Sequence, residues 1–235
     1  MQKKYLLEIS VETVEAALAA ERGGADRIEL CADLSVGGVT PSTELINAVR
    51  GQVHIPIFTM VRPRAGDFVY SDAEFAAMKT AIASAKKHRV DGVVLGILGE
   101  DRYVDVHKTR ELVELAQPLP ATFHRAFDDC VNLLQALENV IQIGAKRILT
   151  SGGAKNAFEG ASVLANLVVA AGDRITILPG AGINASNIGQ VAKVTGAREF
   201  HSGLSTALPY GSQDYGRFEE EVRKLAGDLA QMNCT

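Results

Sequence analysis

No stretch of this 235-residue chain stays apolar for anything near the roughly 20 residues that a membrane-spanning helix requires. The sequence also lacks the positive charge of a nucleic-acid or anionic-membrane binder, since 24 Lys and Arg against 28 Asp and Glu leave a net charge of −4. The opening MQKKYLLEIS carries two lysines but meets Glu8 after a short apolar run, so it has no secretory-signal core. Cysteine is scarce, and Cys31, Cys130 and Cys234 are too widely spaced for a disulfide framework. A cytosolic protein, with no nucleic acid and no membrane as partner, is the expectation. Linkers and low-complexity tracts are missing too, so residues 1–235 read as a single domain. That length suits a closed α/β barrel of about 250 residues, able to bury a large core without staples.

What the chain does have is a repeated alternation. Short apolar runs, the mark of parallel strands covered by helices, begin at Tyr5 (YLLEI), Arg27 (RIEL), Ile55 (IPIFTMV) and Asp91 (DGVVLGIL). They continue at Ala121 (ATFH), Arg147 (RILT), Arg174 (RITILP) and Arg198 (REFH). Stretches of helical spacing separate them, among them VETVEAALAAERG, SDAEFAAMKTAIASAKK and VNLLQALENVIQIG. Eight strand–helix pairs predict a single (β/α)₈ TIM barrel, with an open doubly wound sheet as the competitor. Ser71 and Glu74 have capping-box spacing, and Thr40-Pro41 fits an N-cap followed by a first helical position. Gly-Ala before three strands, in GADRIEL, GAKRILT and GAREFH, predicts helices closed by a left-handed glycine.

Strand parity then selects candidate site residues. If Leu7, Ile9, Ile28, Leu30, Phe123 and Phe200 face the helices, then Glu8, Ser10, Glu29, Cys31, His124 and His201 face the barrel axis. Polar residues near the C-terminal ends of strands lie where this fold builds active sites. The catalytic candidates are Glu8, Glu29, His124, Asp128 and His201. Each has a plainer reading beside it, as a structural carboxylate paired with arginine or a hydrogen-bonded core histidine. Two buried carboxylates call for cationic partners in either case. VRPRAGDF places Arg62 and Arg64 on a stiffened rim suited to a carboxylate or phosphate, or to ion pairs with Glu29 or Asp67, the reading preferred for Arg64. Glycine loops follow strands six, seven and eight: TSGGAKN, PGAGINASN and HSGLS. Ser151, Gly152, Gly180, Gly182 and Gly203, with Arg62 and Arg125, are the candidates for holding a small anion, tight turns being the alternative. His54, His88 and His107 fall at helix ends or loops and read as surface residues.

From RIELCADLSVGGVTPS, through VRPRAGDFVYSDAEF, FHRAFDD, ILTSGG, PGAGI and EFHSG, the sequence resembles the CutC family, named for copper homeostasis. The resemblance runs over nearly the whole chain in order. It implies a TIM barrel, a cytosolic location, a homodimer or larger homo-oligomer, and copper as a ligand. It puts Glu8, Glu29, Arg62, His124, Arg125, Asp128 and His201 at the barrel mouth. Copper(I) prefers sulfur, and family members proposed to bind it carry a cysteine two residues after the first strand's glutamate. Ser10 stands there in this chain. Cys31 remains as the metal-ligand candidate and is equally readable as a small buried hydrophobe. Cys130 falls on the loop or first turn of the fifth helix, Cys234 in the tail, and no CxxC or MxxM occurs.

Two functions stay open beside a non-catalytic metabolite sensor. One is copper(I) binding. The other is an enzyme acting on a small anionic or phosphorylated metabolite, with His124 as general acid or base and Asp128 or a glutamate setting its tautomer. Glu8 or Glu29 would be the second proton-transfer group, and Arg62 and Arg125 would neutralise substrate charge.

Overall fold

The computed structural model describes residues 5–209 and 211–232, so Cys234 lies outside the described residues. Its strands are β1 (Leu6–Val11), β2 (Arg27–Leu30), β3 (Ile57–Met60), β4 (Gly92–Leu95), β5 (Ala121–Phe123), β6 (Arg147–Thr150), β7 (Thr176–Pro179) and β8 (Glu199–Gly203). Its helices are α1 (Val14–Gly23), α2 (Thr43–Arg50), α3 (Asp72–Lys87), α4 (Val106–Ala116), α5 (Leu133–Ile143), α6 (Ala161–Ala171), α7 (Ile188–Thr195), a short α8 (Leu204–Ala207) and α9 (Tyr215–Met232). The strands are parallel and run in the order β7-β6-β5-β4-β3-β2-β1-β8, so β7 and β8 meet at the seam of a nearly closed barrel. The fold is the expected TIM barrel, with one short helix more than the alternation predicts. Among the described residues no helix is long and apolar enough to cross a membrane.

Local chemistry sets the element boundaries. Ser71 and Glu74 close the capping box at the start of α3. Gly24, Gly144 and Gly196 end α1, α5 and α7 in the left-handed conformation at φ 98°, 91° and 68°. The Thr40-Pro41 expectation is corrected: α2 starts two residues later, capped by Ser42. Thr40 is held elsewhere, its hydroxyl donating to the Arg62 carbonyl at 3.0 Å and accepting the Arg62 N–H at 2.9 Å. That pair ties the loops after β2 and β3 together at the barrel mouth.

The outward strand faces pack Ile9, Ile28, Ile57 and Val93 against the helices, all at or near complete burial. The inward faces are mixed. Phe58 lies across the barrel between two guanidinium groups, Arg27 at 4.9 Å and Arg147 at 4.4 Å from its ring centre. Glycine at position 92 leaves room for that ring, since a Cβ there would sit 2.4 Å from Phe58. Gly92→Ala should therefore overpack the interior and cost about 1–3 kcal/mol. Urea unfolding reads this as a lower midpoint at an unchanged slope; a variant as stable as the parent would mean that the Phe58 ring can shift freely.

Candidate active site

Strand register stacks the inward polar residues in layers. Glu8 on β1 is level with Arg27 on β2 and His201 on β8, while Ser10 is level with Glu29 and Gly203. The side chains complete what the register begins. Arg27 Nε donates to Glu8 Oε2 at 2.5 Å, and Arg27 Nη2 donates to Glu199 at 2.6 Å. His201 Nδ1 donates to Glu8 Oε1 at 2.7 Å. The other ring nitrogen of His201 lies 3.9 Å from Glu29 Oε2. One ligand-capable atom from each of Glu8, Glu29 and His201 lies within 4.8 Å of the others. Cys31 Sγ donates to Glu29 Oε2 at 3.5 Å, whereas Glu29 Oε1 is buried with no partner.

These neighbours divide the charge unevenly. Burial alone would raise the pKa of Glu8, but Arg27 and His201 outweigh it and hold the carboxyl well below the usual range. Burial prevails at Glu29: His201 opposes it, the Glu8 charge reinforces it, and the pKa is raised. For His201 burial disfavours the cation, yet Glu29 and Glu8 together raise its pKa. The cluster therefore holds a fixed anion, an imidazole biased towards the cation, and a carboxyl that keeps its proton to higher pH.

His124 follows β5 and caps a 3₁₀ turn over Arg125–Asp129, its Nδ1 accepting the Ala126 N–H at 3.2 Å. The neutral ring therefore carries its proton on Nε2, which is buried and has no partner. Burial, then the charge of Arg62, lowers the His124 pKa to about 3. Phe68 links the two, its ring 4.9 Å from the His124 ring centre and 4.9 Å from the Arg62 guanidinium carbon. Arg62 also clamps the surrounding loops, donating to the carbonyls of Val36, Gly38 and Gly66 at 2.8–3.0 Å. Between these groups opens a cavity of about 270 Å³, walled by Glu29, Arg62, Phe68, His124, Arg125 and His201, with Ser10 and Gly203 also on its lining. Glu8 is buried and is not part of this lining.

Other candidates are engaged elsewhere. Asp128 does not reach His124: it accepts from Thr150 Oγ1 at 2.5 Å, from the Ser151 and Gly153 amides at 3.0 Å, and from Arg125 at 2.9 Å. The expectation that Asp128 sets the His124 tautomer is corrected, because the Ala126 amide does so and Asp128 fastens the loop after β6. Ser151 donates to the Ala154 carbonyl and accepts from Arg125 at 3.3 Å. Gly152, Gly180 and Gly182 lie outside the cavity lining, although Ala181, left-handed at φ 73°, is on it. At Gly180 a Cβ would meet Leu149 at 2.4 Å, so close packing explains that glycine. Arg64 pairs with Asp67 and Glu74. Cys130 is buried at the end of the 3₁₀ turn, its thiol pushed by burial and by Asp129 up to about 12. Arg27 and Glu199 were not among the candidates, yet each stands two residues before an inward residue, Glu29 or His201, and shares its face.

The sequence profile of the CutC family matches residues 5–206. This chain belongs to the CutC family. It is 46% identical over 207 residues to a human copper homeostasis protein cutC homolog, covering 88% of this chain and 76% of the human protein. A CutC family protein from Chromobacterium violaceum is 46% identical over 234 residues, covering 94% of this chain and 95% of that one. The crystal structure of a CutC from Streptococcus agalactiae matches with a TM-score of 0.81 and 32% identity, over 85% of this chain and 98% of that chain.

The donors of this CutC chain do not suit copper(I). The cluster offers a single thiol, at Cys31, which is fully buried beneath Gly38. Burial and Glu29 raise the pKa of that thiol well above its ordinary value, keeping it from the thiolate form that the metal needs. The remaining donors are oxygen and nitrogen, and both oxygens of Glu8 already serve Arg27 and His201.

The two histidines should titrate in opposite ways. Imidazole nitrogen NMR is expected to show His124 neutral, with Nε2–H, from about pH 5 to 8, while His201 titrates above the ~6.5 of a free histidine. Because its folded pKa is raised, the stability His201 contributes is fully present below about 6.5 and lost as pH rises through the folded value. Glu8→Gln should pull the His201 transition down; an unmoved transition would show that Glu8 does not hold the imidazolium.

Proposed function

We propose that this CutC-family protein serves the copper homeostasis for which its relatives are named, and that its barrel mouth is a proton-transfer site for a small organic anion rather than a soft copper(I) site. The observation that carries this reading is the division of labour between two carboxylates 4.8 Å or less from one imidazole. Glu8 stays ionised and holds His201, whereas Glu29 has a raised pKa and a free buried oxygen at the cavity. Pairs of titratable groups pushed apart by their environments are how one site supplies both acid and base. In this reading Glu29 and His201 exchange a proton with the bound molecule. His124, neutral and with Nε2–H unpartnered, acts as a hydrogen-bond donor to an oxygen that gains charge, a role distinct from general acid or base. Arg62 and Arg125 supply positive potential, and the cavity admits a molecule of a few carbons. A cytosolic location and a homo-oligomeric state belong to the same proposal.

Direct copper binding is the second reading, favoured by one observation: Cys31 Sγ lies in the same cluster, on Glu29. One set of measurements separates the two. Thermal shift with pyruvate, malate, oxalate and glyceraldehyde 3-phosphate is expected to find an organic anion that raises Tm by mass action. Glu29→Gln and His124→Ala should each remove that shift. Anaerobic titration with copper(I) should show binding no tighter than to free cysteine. Tight copper(I) binding that Cys31→Ser abolishes would replace this proposal with the second reading.

A further inference from the structure

The strand starts, at the end of the barrel opposite the mouth, border a second and larger cleft, open to solvent, of about 660 Å³. Its wall carries four basic residues, Lys146, Arg147, Arg174 and Arg198, against a single acid, Asp173, among the described residues. Arg174 is paired with Glu138 at 2.7 Å. No ion pair joins Lys146, Arg147 or Arg198 to a carboxylate among the described residues, because Glu199, the acid on β8 beside them, is taken by Arg27. Arg147 is the telling member. Its Nε donates to Thr122 at 3.2 Å and its plane lies over Phe58, yet Nη2 is buried with no partner at all. Burial, and then repulsion from Arg27, depress its pKa. The Nη2 nitrogen is closed off from the cleft, so Arg147 contributes to the lining through the rest of its side chain and through its charge, which Glu199 and Glu8 partly offset.

We infer that this cavity is an anion-binding site, for a small molecule bearing phosphate groups. The chain as a whole is negative, at −4, so a cleft of three unpaired cations and a fourth nearby is a local reversal of potential. Guanidinium forks match the oxygens of a phosphate group in pairs, and several forks suit a multiply charged ligand better than a monocarboxylate. The volume lies within the ~300–1,000 Å³ of small-molecule sites, and Val168 gives one apolar wall for an organic body. The site is independent of the mouth, since its residues stand at the opposite ends of β6, β7 and β8.

Isothermal titration of the intact protein with pyrophosphate at low salt tests the assignment. Wild-type protein should bind, with an affinity that falls steeply as NaCl is added. The double variant Lys146→Gln/Arg198→Gln changes two exposed side chains and should fold normally by circular dichroism, yet weaken this binding tenfold or more. Arg125→Gln, at the mouth, should leave this binding event intact, which separates the inference from any outcome for the mouth itself. Absence of pyrophosphate binding to wild-type protein, or binding that survives the double variant, overturns the site. So does a single-stranded oligonucleotide that binds this face when pyrophosphate does not.

Discussion

A carboxylate and a guanidinium buried together inside a barrel forfeit their hydration, and Glu8 and Arg27 offset that loss through the ion pair they make with each other. Everything at the mouth follows from which carboxylate that guanidinium serves. Arg27 bonds Glu8 and Glu199, so Glu8 remains charged at any ordinary pH. A fixed charge at Glu8 then holds Nδ1 of His201 and turns Nε2 towards Glu29. Glu29 receives no guanidinium, only a thiol and the edge of an imidazole, and is left as the carboxyl that keeps its proton. Two residues of one type thus acquire opposite roles from the placement of one cation.

Room for this arrangement comes from the smallest residues. Gly96 allows His124 to stand against β4, where a Cβ would come within 2.7 Å of its ring. Gly203 lies against Ser10, where a Cβ would approach the hydroxyl to 2.0 Å, so the β1–β8 edge of the mouth is held open by two small side chains. Phe58, the register partner of Glu29, lies across the interior between the Arg27 and Arg147 guanidinium groups. Enlarging Gly96 would displace the His124 ring, and enlarging Gly203 would displace Ser10.

Much of this was legible in the sequence, because a period of two along short strands is a strong signal. Parity alone aimed Glu8, Glu29, His124 and His201 at one axis, and eight repeats predicted a barrel. The same parity covers Arg27 and Glu199, but these stand at strand starts, away from the C-terminal ends where this fold builds its sites. Phe68 had no signal, since its place between Arg62 and His124 depends on the path of a loop. Asp128 is close to His124 in HRAFDD, but proximity along the chain does not fix direction. The 3₁₀ turn carries that carboxylate towards Thr150 and Ser151, away from the imidazole. The start of α2 slipped for a related reason: Thr40 has the chemistry of an N-cap, and a tertiary bond to Arg62 claims it first.

The relation between the family name and the site turns on Ser10. A cysteine at that position would add a second thiol to the mouth, and a soft cation held between two thiols lowers the cost of ionising both. With serine there, nothing compensates the Cys31 thiol for giving up its proton beside Glu29, and the carboxylate works against it. Glu29 keeps its proton for a separate reason, since burial and the Glu8 charge together outweigh His201. The interior ion pair, the paired imidazole and the Nδ1 bond of His124 are all made between protein groups. The donors left at the mouth are carboxylate oxygens and imidazole nitrogens, a set without the soft sulfur pair that copper(I) prefers.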